Sequence, residues 1–556
     1  MLATYRYPDY PYSRCVEQRE SRPRRHPVTV IGAGPVGLTA ALDLAAHGLP
    51  VVVLDEDRTV SVGSRAVCYA KRALEIWNRL GCAQPILDKG VVWKVGKIFH
   101  RDRMVYQFDL LPETGHKIPA FLNLQQYYLE QFLIERATAD PRIELRWQNR
   151  VVGVGAKSGH VELEVETPEG RYITECQYLV AADGARSPVR KMLGLDFKGQ
   201  VFHDRFLIAD VVMKAGFPPE RWFWFDPPFH RRQSALLHMQ ADDVWRIDFQ
   251  LGPQADPEEE KKPERVIPRL RAMLGADTEF ELEWVSVYTF QCRRLDRFRH
   301  GRVMFVGDAA HQVSPFGARG ANSGVQDADN LAWKLALVLK GLAPDDLLES
   351  YDAERIAAAE ENLGHSTRST DFITPKTAVS RAFRDAVLSL AAEFPFARRM
   401  LNSGRLSTPT SYPHSPLTTR DEDAFEGGVA PGAPCVDAPV TIGGSSGWLI
   451  DALGGDFTAL YFADRESVPE HLAADLAALG ETIVPVRFTV VVPPTGKGPT
   501  ALVDSEGLLA RRYDARPGTF YLVRPDQHVA ARWRAFDREK VSAALRRAIG
   551  QVSGRR

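Results

Sequence analysis

The sequence predicts an α/β protein: a Rossmann-like dinucleotide-binding domain, a β-sheet unit inserted into it, and a smaller α/β unit after it. Three observations carry that prediction. A β-branched strand runs into a glycine-rich turn and a helix over residues 27–48. Alternating, aromatic-rich segments fill residues 197–290. A stretch rich in Pro, Ser, Thr and Gly at 403–439 separates off a further alternation of strands and helices.

The elements follow in order. Pro27–Ile31 is a buried strand, and Gly32, Gly34 and Gly37 come directly after it, within a turn that also holds Pro35 and Val36. Gly32 allows the tight turn, Gly34 lets backbone approach a diphosphate, and Gly37 lets the helix pack close to the strand. The helix Leu38–His47 stops at Gly48, and a second strand, Val51–Leu54, ends in Asp55 followed by Glu56. Ala73–Leu80 and Gln126–Ala139 read as helices, Arg142–Glu166 as strands, and Tyr178–Ala182 as a strand leading into Asp183-Gly184. Trp222–Phe225, Trp245–Phe249 and Trp284–Phe290 are strands of the inserted sheet, interrupted by a charged loop or helix at Pro257–Met273. Val303–Val306 is again a buried strand, running into Gly307-Asp308, and helices are expected at Asn322–Lys340, Leu347–Ser366 and Lys376–Ala392. Past the linker, strands Ala459–Phe462 and Phe488–Val492 flank a helix at Val468–Leu479. The expected organisation is a flexible extension (1–26), a discontinuous dinucleotide-binding domain (27–196 and 291–402), the inserted substrate sheet (197–290), a linker (403–439) and the last unit (440–556).

At 556 residues, with 44% hydrophobic and 25% charged residues, the chain has room for a large core and needs neither disulfide nor metal staples. Lys+Arg total 70 against 71 for Asp+Glu, a net charge of -1, so nothing favours nucleic acid or acidic membranes as partners. The six cysteines lie far apart without a C-x-x-C pair, which suits a reducing cytoplasm and argues against a metal site. No membrane span is expected: Val28–Leu54 is broken by Asp43, His47, Gly48 and Pro50, and Leu331–Ala343 carries Lys334 and Lys340. The polar first 26 residues lack the apolar core of a signal peptide.

The strand, turn, helix, strand and acid occur in the order a dinucleotide site requires, with the helix N-terminus facing the diphosphate and Asp55 the ribose. That turn alone leaves FAD and NAD open. The cluster Arg302–Asn322 favours FAD: Gly307-Asp308 sets a carboxylate beside a sugar-like chain. The loop with Pro315, Phe316, Gly317, Gly320, Ala321 and Asn322 then opens a long helix whose N-terminal dipole suits the anionic edge of a reduced flavin.

These residues resemble the group A flavoprotein aromatic hydroxylases, the para-hydroxybenzoate hydroxylase-like monooxygenases, from residue 28 to about 370. Ala181-Ala-Asp183-Gly184-Ala-Arg186-Ser187 looks like the family's Asp-Gly motif, and Asp308 matches the aspartate on the ribityl chain. Arg65 matches the arginine near the diphosphate, and Gln126 a residue at the ribose and phosphate side. The resemblance implies an FAD contacted by Gly32, Gly34, Pro35, Val36, Gly37, Asp55, Glu56, Arg65, Gln126, Asp183, Gly307, Asp308, Pro315, Gly320, Ala321 and Asn322. It implies hydroxylation of a phenolic compound, ortho or para to its hydroxyl, with O2 and NADH or NADPH through a flavin C4a-hydroperoxide, in aromatic catabolism. At the C-terminus, Asp504–Gly507, Ala515–His528 and Ala531-Arg532-Trp533 resemble the thioredoxin-like tail of the phenol hydroxylase and 3-(3-hydroxyphenyl)propionate hydroxylase branch. The tail has no C-x-x-C pair, so its expected role is packing or subunit contact, and a homodimer is left open.

No catalytic residue is assigned; His311 and Pro315 are the candidates, and His311 reads more readily as a buttress of its loop. Trp224, His238, Tyr288, Pro315 and Phe316 are candidates for the substrate, with His203 a further one. In Trp222–Phe225, half of the side chains must face away from any pocket. The segment Trp222–Pro227 partly resembles the W-x-W-x-I-P motif of flavin halogenases, with Asp226 in place of the isoleucine. Arg293-Arg294 reads equally as a carboxylate clamp or a solvated turn. The alternatives are a halogenase or oxidase on the same scaffold, or a non-catalytic FAD-fold binding protein, against which both aspartate motifs argue.

Overall fold

The computed structural model describes residues 4–401, 406, 408–464, 470–494 and 501–551, with the side chains of His203 and Glu470 outside them. Its first sheet has Arg25–Ile31 at the centre, parallel to Val51–Leu54 on one side and Gly170–Ala181 on the other. Ile143–Arg146 and Val303–Phe305 extend it in parallel at either side. Parallel strands covered on both faces read as unbroken apolar runs, which is why Val51–Leu54 was legible as a strand. The helix Pro35–Ala46 lies between this sheet and the long helix Gly320–Leu339. Its close approach depends on Gly37, where a Cβ would stand 1.9 Å from the Gly32 carbonyl oxygen.

The second sheet has eight strands in the order His311–Gln312, Glu281–Arg294, Lys198–Val212, Val244–Leu251, Ser234–Met239, Arg221–Phe225, Val95–His100, Arg103–Asp109. Its last two strands differ from the expected boundary at 197, because the hairpin 95–109 belongs to this sheet and not to the first domain. Val95–His100 pairs in parallel with Arg221–Phe225 and covers what would otherwise be an open edge. Side chains alternate across the sheet. Trp222, Trp224, Leu237, Trp245, Ile247 and Phe249 pack on the outer face with Val266 and Leu270 of the helix Pro263–Leu274. Arg221, His238, Arg246, Asp248 and Tyr288 take the opposite parity and face the first domain.

The N-terminal extension, expected to be flexible, is packed from Thr4 onward. Tyr5 stacks on Tyr127 with centroids 4.1 Å apart and Tyr10 on Trp147 at 4.5 Å, while Tyr7 Oη accepts the Gly63 N–H at 3.0 Å. Glu17, on the short helix Val16–Glu20, is buried against Arg146 (3.1 Å) and His26 (2.7 Å). The segment is polar on average, but its tyrosines each bring a large apolar area, and that area is what holds it down. The result is a strap across the loop 59–65.

The C-terminal unit is a seven-stranded sheet around Phe457–Phe462, with Val486–Val492 parallel on one side and Phe520–Val523 antiparallel on the other. Trp333 and Leu347 of the first domain share a core with its Phe457, Ala530 and Trp533. A buried ionic cluster crosses the same boundary. Arg524 donates to Glu354 at 2.6 and 3.0 Å, and Arg72 donates to the Asp526 carbonyl (2.7 Å), Gln527 Oε1 (2.8 Å) and Asp329 (3.1 Å). No helix among the described residues is long and apolar enough to cross a membrane.

Candidate active site

One cavity of about 610 Å³ runs from the glycine turn of the first sheet to the inner face of the second. At its first end, the helix Pro35–Ala46 starts at Gly34 with no side-chain cap, so its leading N–H groups are free for an anion. Open space lies where a Gly34 Cβ would stand. Asp55 leaves the end of its strand and accepts N–H bonds from Ala33 (2.5 Å) and Asp57 (2.8 Å). Burial nevertheless pushes its carboxyl up to about 6. Gln126 Oε1 accepts the Ala66 N–H at 3.0 Å, and its Nε2 donates to Glu130 at 2.8 Å, fixing the loop that carries Arg65.

In the middle, two carboxylates from adjacent strand ends face the cavity. Asp183 accepts the Val189 N–H at 3.0 Å through Oδ2, while Oδ1 is buried with no partner. Asp308 follows Val303–Phe305, makes no hydrogen bond among the described residues, and is raised above the ordinary carboxylate range by burial, against the pull of His311 and Arg65. Gly320 opens the helix Gly320–Leu339 close to Asp308. Asn322, on its first turn, ties that end down: Oδ1 accepts the Ala70 N–H (2.8 Å) and Nδ2 donates to the Cys68 carbonyl (2.9 Å). A free helix N-terminus, the Asp55 carboxylate, the unpartnered Asp183 Oδ1 and the accessible Asp308 carboxylate in one elongated cavity fit the diphosphate, sugar and ribityl hydroxyls of FAD.

The cavity wall carries Gly32, Gly34, Pro35, Val36, Asp55, Glu56, Arg65, Gln126, Asp183, Asp308, Pro315, Gly320, Ala321 and Asn322 of the expected cofactor set. Gly37 and Gly307 are not on it. Gly37 is a packing position, and the Gly307 N–H donates to Asp327 behind the wall at 2.9 Å.

Of the substrate and catalytic candidates, His238, Tyr288 and Pro315 line the cavity. Trp224 does not: the parity of its strand turns it into the outer core, stacked on Phe99 with centroids 5.1 Å apart. Phe316 packs into an aromatic cluster with Phe206 (5.1 Å) and Phe290 (5.0 Å). His311 is buried off the wall with Nε2 2.7 Å from Asp327, which also takes Arg355 at 2.6 Å, so it buttresses the loop. Arg293 bonds Gln312 and Arg294 pairs with Glu360, and neither lines the cavity.

Sequence reasoning missed Arg221, Arg246, Asp248 and Cys68 at the far end. The signal was present in the alternation of the inserted strands, which sets odd and even residues on opposite faces, but alternation alone does not say which parity faces inward.

Asp55→Ala is expected to weaken FAD binding by roughly 1.5–3 kcal/mol, the scale of a hydrogen bond to a charged group, read by fluorescence titration of released flavin. Deleting residues 1–12 is expected to weaken flavin retention about tenfold, or ~1.4 kcal/mol, because loop 59–65 loses Tyr7 and its neighbours. Unchanged retention in dialysis would show that the strap has no part in holding the cofactor.

Comparison with known proteins gives a consistent picture. A family described as FAD binding domain matches residues 25–366, and one described as HcaD C-terminal domain matches residues 437–548. The 6-methylpretetramide 4-monooxygenase of Streptomyces rimosus is 31% identical over 91% of this chain and 90% of its own length. A 3-(3-hydroxy-phenyl)propionate/3-hydroxycinnamic acid hydroxylase of Mycolicibacterium smegmatis is 28% identical over 93% of this chain and 92% of its own. In fold, the chain is similar to the flavin-dependent monooxygenase PieE, solved with FAD and substrate (TM-score 0.81, 23% identity, 95% of this chain and 100% of that one). It is also similar to aklavinone-11 hydroxylase, solved with FAD and aklavinone (TM-score 0.77, 24% identity, 94% and 99%).

Proposed function

The chain belongs to the FAD binding domain family, and from that premise we propose that it is an FAD-dependent aromatic hydroxylase. We propose further that its substrate is a phenol, hydroxylated ortho or para to its hydroxyl. The observation that carries this reading is the single cavity that joins an FAD-shaped row of groups to a polar patch on the inserted sheet.

When bound, FAD supplies electron acceptance from NAD(P)H and activation of O2. The chain's own residues bind, orient and seal. The free N–H groups of Gly34 and Val36 would take the diphosphate, Asp55 and Glu56 the adenosine ribose, and Asp183 and Asp308 the ribityl hydroxyls. Backbone from Pro315 to Asn322 walls the ring, at the N-terminus of a long helix where negative charge is stabilised. Phe290, Val313 and Tyr288 present apolar surface to the reacting region, limiting water there. Trp222 and Trp224 lie on the face of the sheet away from the cavity, so the partial halogenase motif has no structural support. Six unpaired cysteines support a cytoplasmic setting. The exposed Phe383, Phe394, Phe396 and Met400 offer an apolar face for a homodimer, which light scattering would read.

The test is NAD(P)H oxidation by the yellow holoenzyme against a phenol panel, with H2O2 and product mass followed together. One phenol should stimulate oxidation and gain one oxygen. H2O2 alone with every phenol would point to an oxidase, and a protein that takes up no FAD would overturn the reading.

A further inference from the structure

The far wall of the cavity carries charge that the protein does not use on itself. Two arginines project from the inner face of the inserted sheet. Arg246 is committed: it donates to both oxygens of Asp210 at 2.8 Å and reaches the Ser64 carbonyl. Arg221 has no carboxylate within ion-pair distance among the described residues, and its one hydrogen bond is to Cys68 Sγ at 3.4 Å. Two strands away, Asp248 lines the same cavity with Oδ1 buried and unpartnered. An unpaired guanidinium and an unpaired carboxylate sharing one low-dielectric wall, each with open cavity before it, is a costly arrangement unless a ligand completes it.

The neighbours sharpen the chemistry. Trp93 Nε1 can only donate, and it donates to Asn123 Oδ1 at 2.8 Å, which fixes the amide so that Nδ2 donates to the Met239 carbonyl (2.8 Å) and to His238 Nδ1 (3.1 Å). His238 therefore carries its proton on Nε2. Burial and the nearby Arg221 and Arg246 hold it well below the ordinary histidine value, so it is a neutral donor. The Tyr288 hydroxyl makes no hydrogen bond among the described residues, and burial raises it well above its ordinary value, so it too remains neutral.

Resting on the hydroxylase reading, we propose that Asp248 accepts the proton of the substrate's phenolic hydroxyl and that Arg221 holds the resulting phenolate. The phenolic O–H bond breaks, the proton forms the O–H bond of the Asp248 carboxyl, and the electron pair stays on the phenolate oxygen beside Arg221. No net charge enters or leaves the buried site, because Arg221 and Asp248 begin as cation and anion and end as a cation–phenolate pair beside a neutral acid. The substrate class is thus a phenol that enters neutral at this wall, with its charge made inside. An aromatic acid with its carboxylate against Arg221 would instead leave Asp248 facing a second anion. The titratable and charged groups that act on Asp248 are Arg246, Arg221, Asp210, Tyr288 and Cys68, and His238 lines the same cavity. Burial outweighs the pull of the two arginines and pushes the Asp248 carboxyl up to about 6, so it is ionised at neutral pH and a stronger acceptor than an exposed aspartate.

The experiment uses holoenzyme and 3-nitrophenol, whose anion absorbs to the red of its neutral form, read by difference spectrum against the flavin background. In the wild type the bound probe should be anionic at pH values where free probe is neutral, its acidity raised at least tenfold. Its affinity should be flat with pH between about 6 and the free probe's own pKa, because the proton stays on Asp248. Arg221→Met should leave the bound probe neutral, with Arg221→Lys restoring part of the shift. Asp248→Asn should keep the anionic band but make binding release a proton, so that affinity rises about tenfold per pH unit. Flavin content and thermal melting certify that each variant is folded, and Asp248→Ser, which also lacks the carboxylate, stands in if Asp248→Asn is not. A probe that stays neutral in the wild type overturns the assignment. So do a spectrum and pH slope unchanged in both variants while a phenol is still hydroxylated, a result that leaves the hydroxylase reading intact. A wild-type holoenzyme that takes up and hydroxylates no phenol overturns both.

Discussion

Glu354→Ala is expected to lower the stability of the folded chain by about 3–5 kcal/mol, the scale for removing one partner of a buried ion pair. Glu354 sits on the helix Glu349–Ile373, fully buried, and accepts from Arg524 at 2.6 and 3.0 Å, Lys334 at 2.7 Å, Asn330 at 2.7 Å and Ser415 at 2.5 Å. Without it, Lys334 loses its only carboxylate among the described residues, and Arg524 keeps only Asp526. The loss falls on the boundary between the first domain and the C-terminal unit, so the two should melt apart earlier in a denaturant series. Equal midpoints for wild type and variant would show that the cluster is not what joins them. The pH dependence follows from the sign of the shift. Despite burial, Arg524 and Lys334 hold the Glu354 carboxyl well below its ordinary range. Its folded-state value is thus depressed, so its contribution is complete above the unfolded value of about 4.3 and is lost only as pH falls below that.

The second large effect is at the glycine turn. Gly37→Ala should weaken FAD binding roughly a hundredfold, about 3 kcal/mol, and lower the melting temperature of the FAD-free protein as well. The new Cβ would stand 1.9 Å from the Gly32 carbonyl oxygen, a backbone atom that can move only by displacing the turn. Gly32 itself has φ +101, where a side chain is strained, so the turn has little freedom to yield. Gly34→Ala is the control. Nothing lies within 4 Å of its Cβ position, so that variant should fold normally and lose FAD alone, because its methyl enters the space the diphosphate needs. Flavin titration beside thermal melting separates the two, and equal behaviour of both variants would refute the distinction between packing and approach.

The contrast between these sites shows why some of the molecule was readable in its sequence. The turn Gly32–Gly37, Asp55 and the Asp183 and Asp308 strand ends follow local rules: a φ only glycine tolerates, a helix start, a carboxylate after a buried strand. Such rules act within a few residues, so composition and spacing reveal them. The helices at Gln126–Thr138 and Gly320–Leu339 were legible for the same reason.

Other features depend on contacts between residues far apart in the chain. The strap at residues 4–15 was hidden because its mean polarity conceals tyrosines whose partners, Tyr127 and Trp147, lie more than a hundred residues on. The hairpin 95–109 joins the inserted sheet through Trp222↔Lys97, a pairing that no local pattern encodes. The Glu354–Arg524 contact, 170 residues apart, is of the same kind.

By itself, then, the sequence determined the order of elements, the glycine turn and the carboxylates along the cavity, because each is a property of a short stretch of backbone. Only the tertiary structure decided which face of the inserted strands meets the cavity. Period-two alternation is symmetric between Trp224 and Arg221, and it is the helix Pro263–Leu274, packed over Trp224, that breaks the symmetry and turns Arg221 and Asp248 inward.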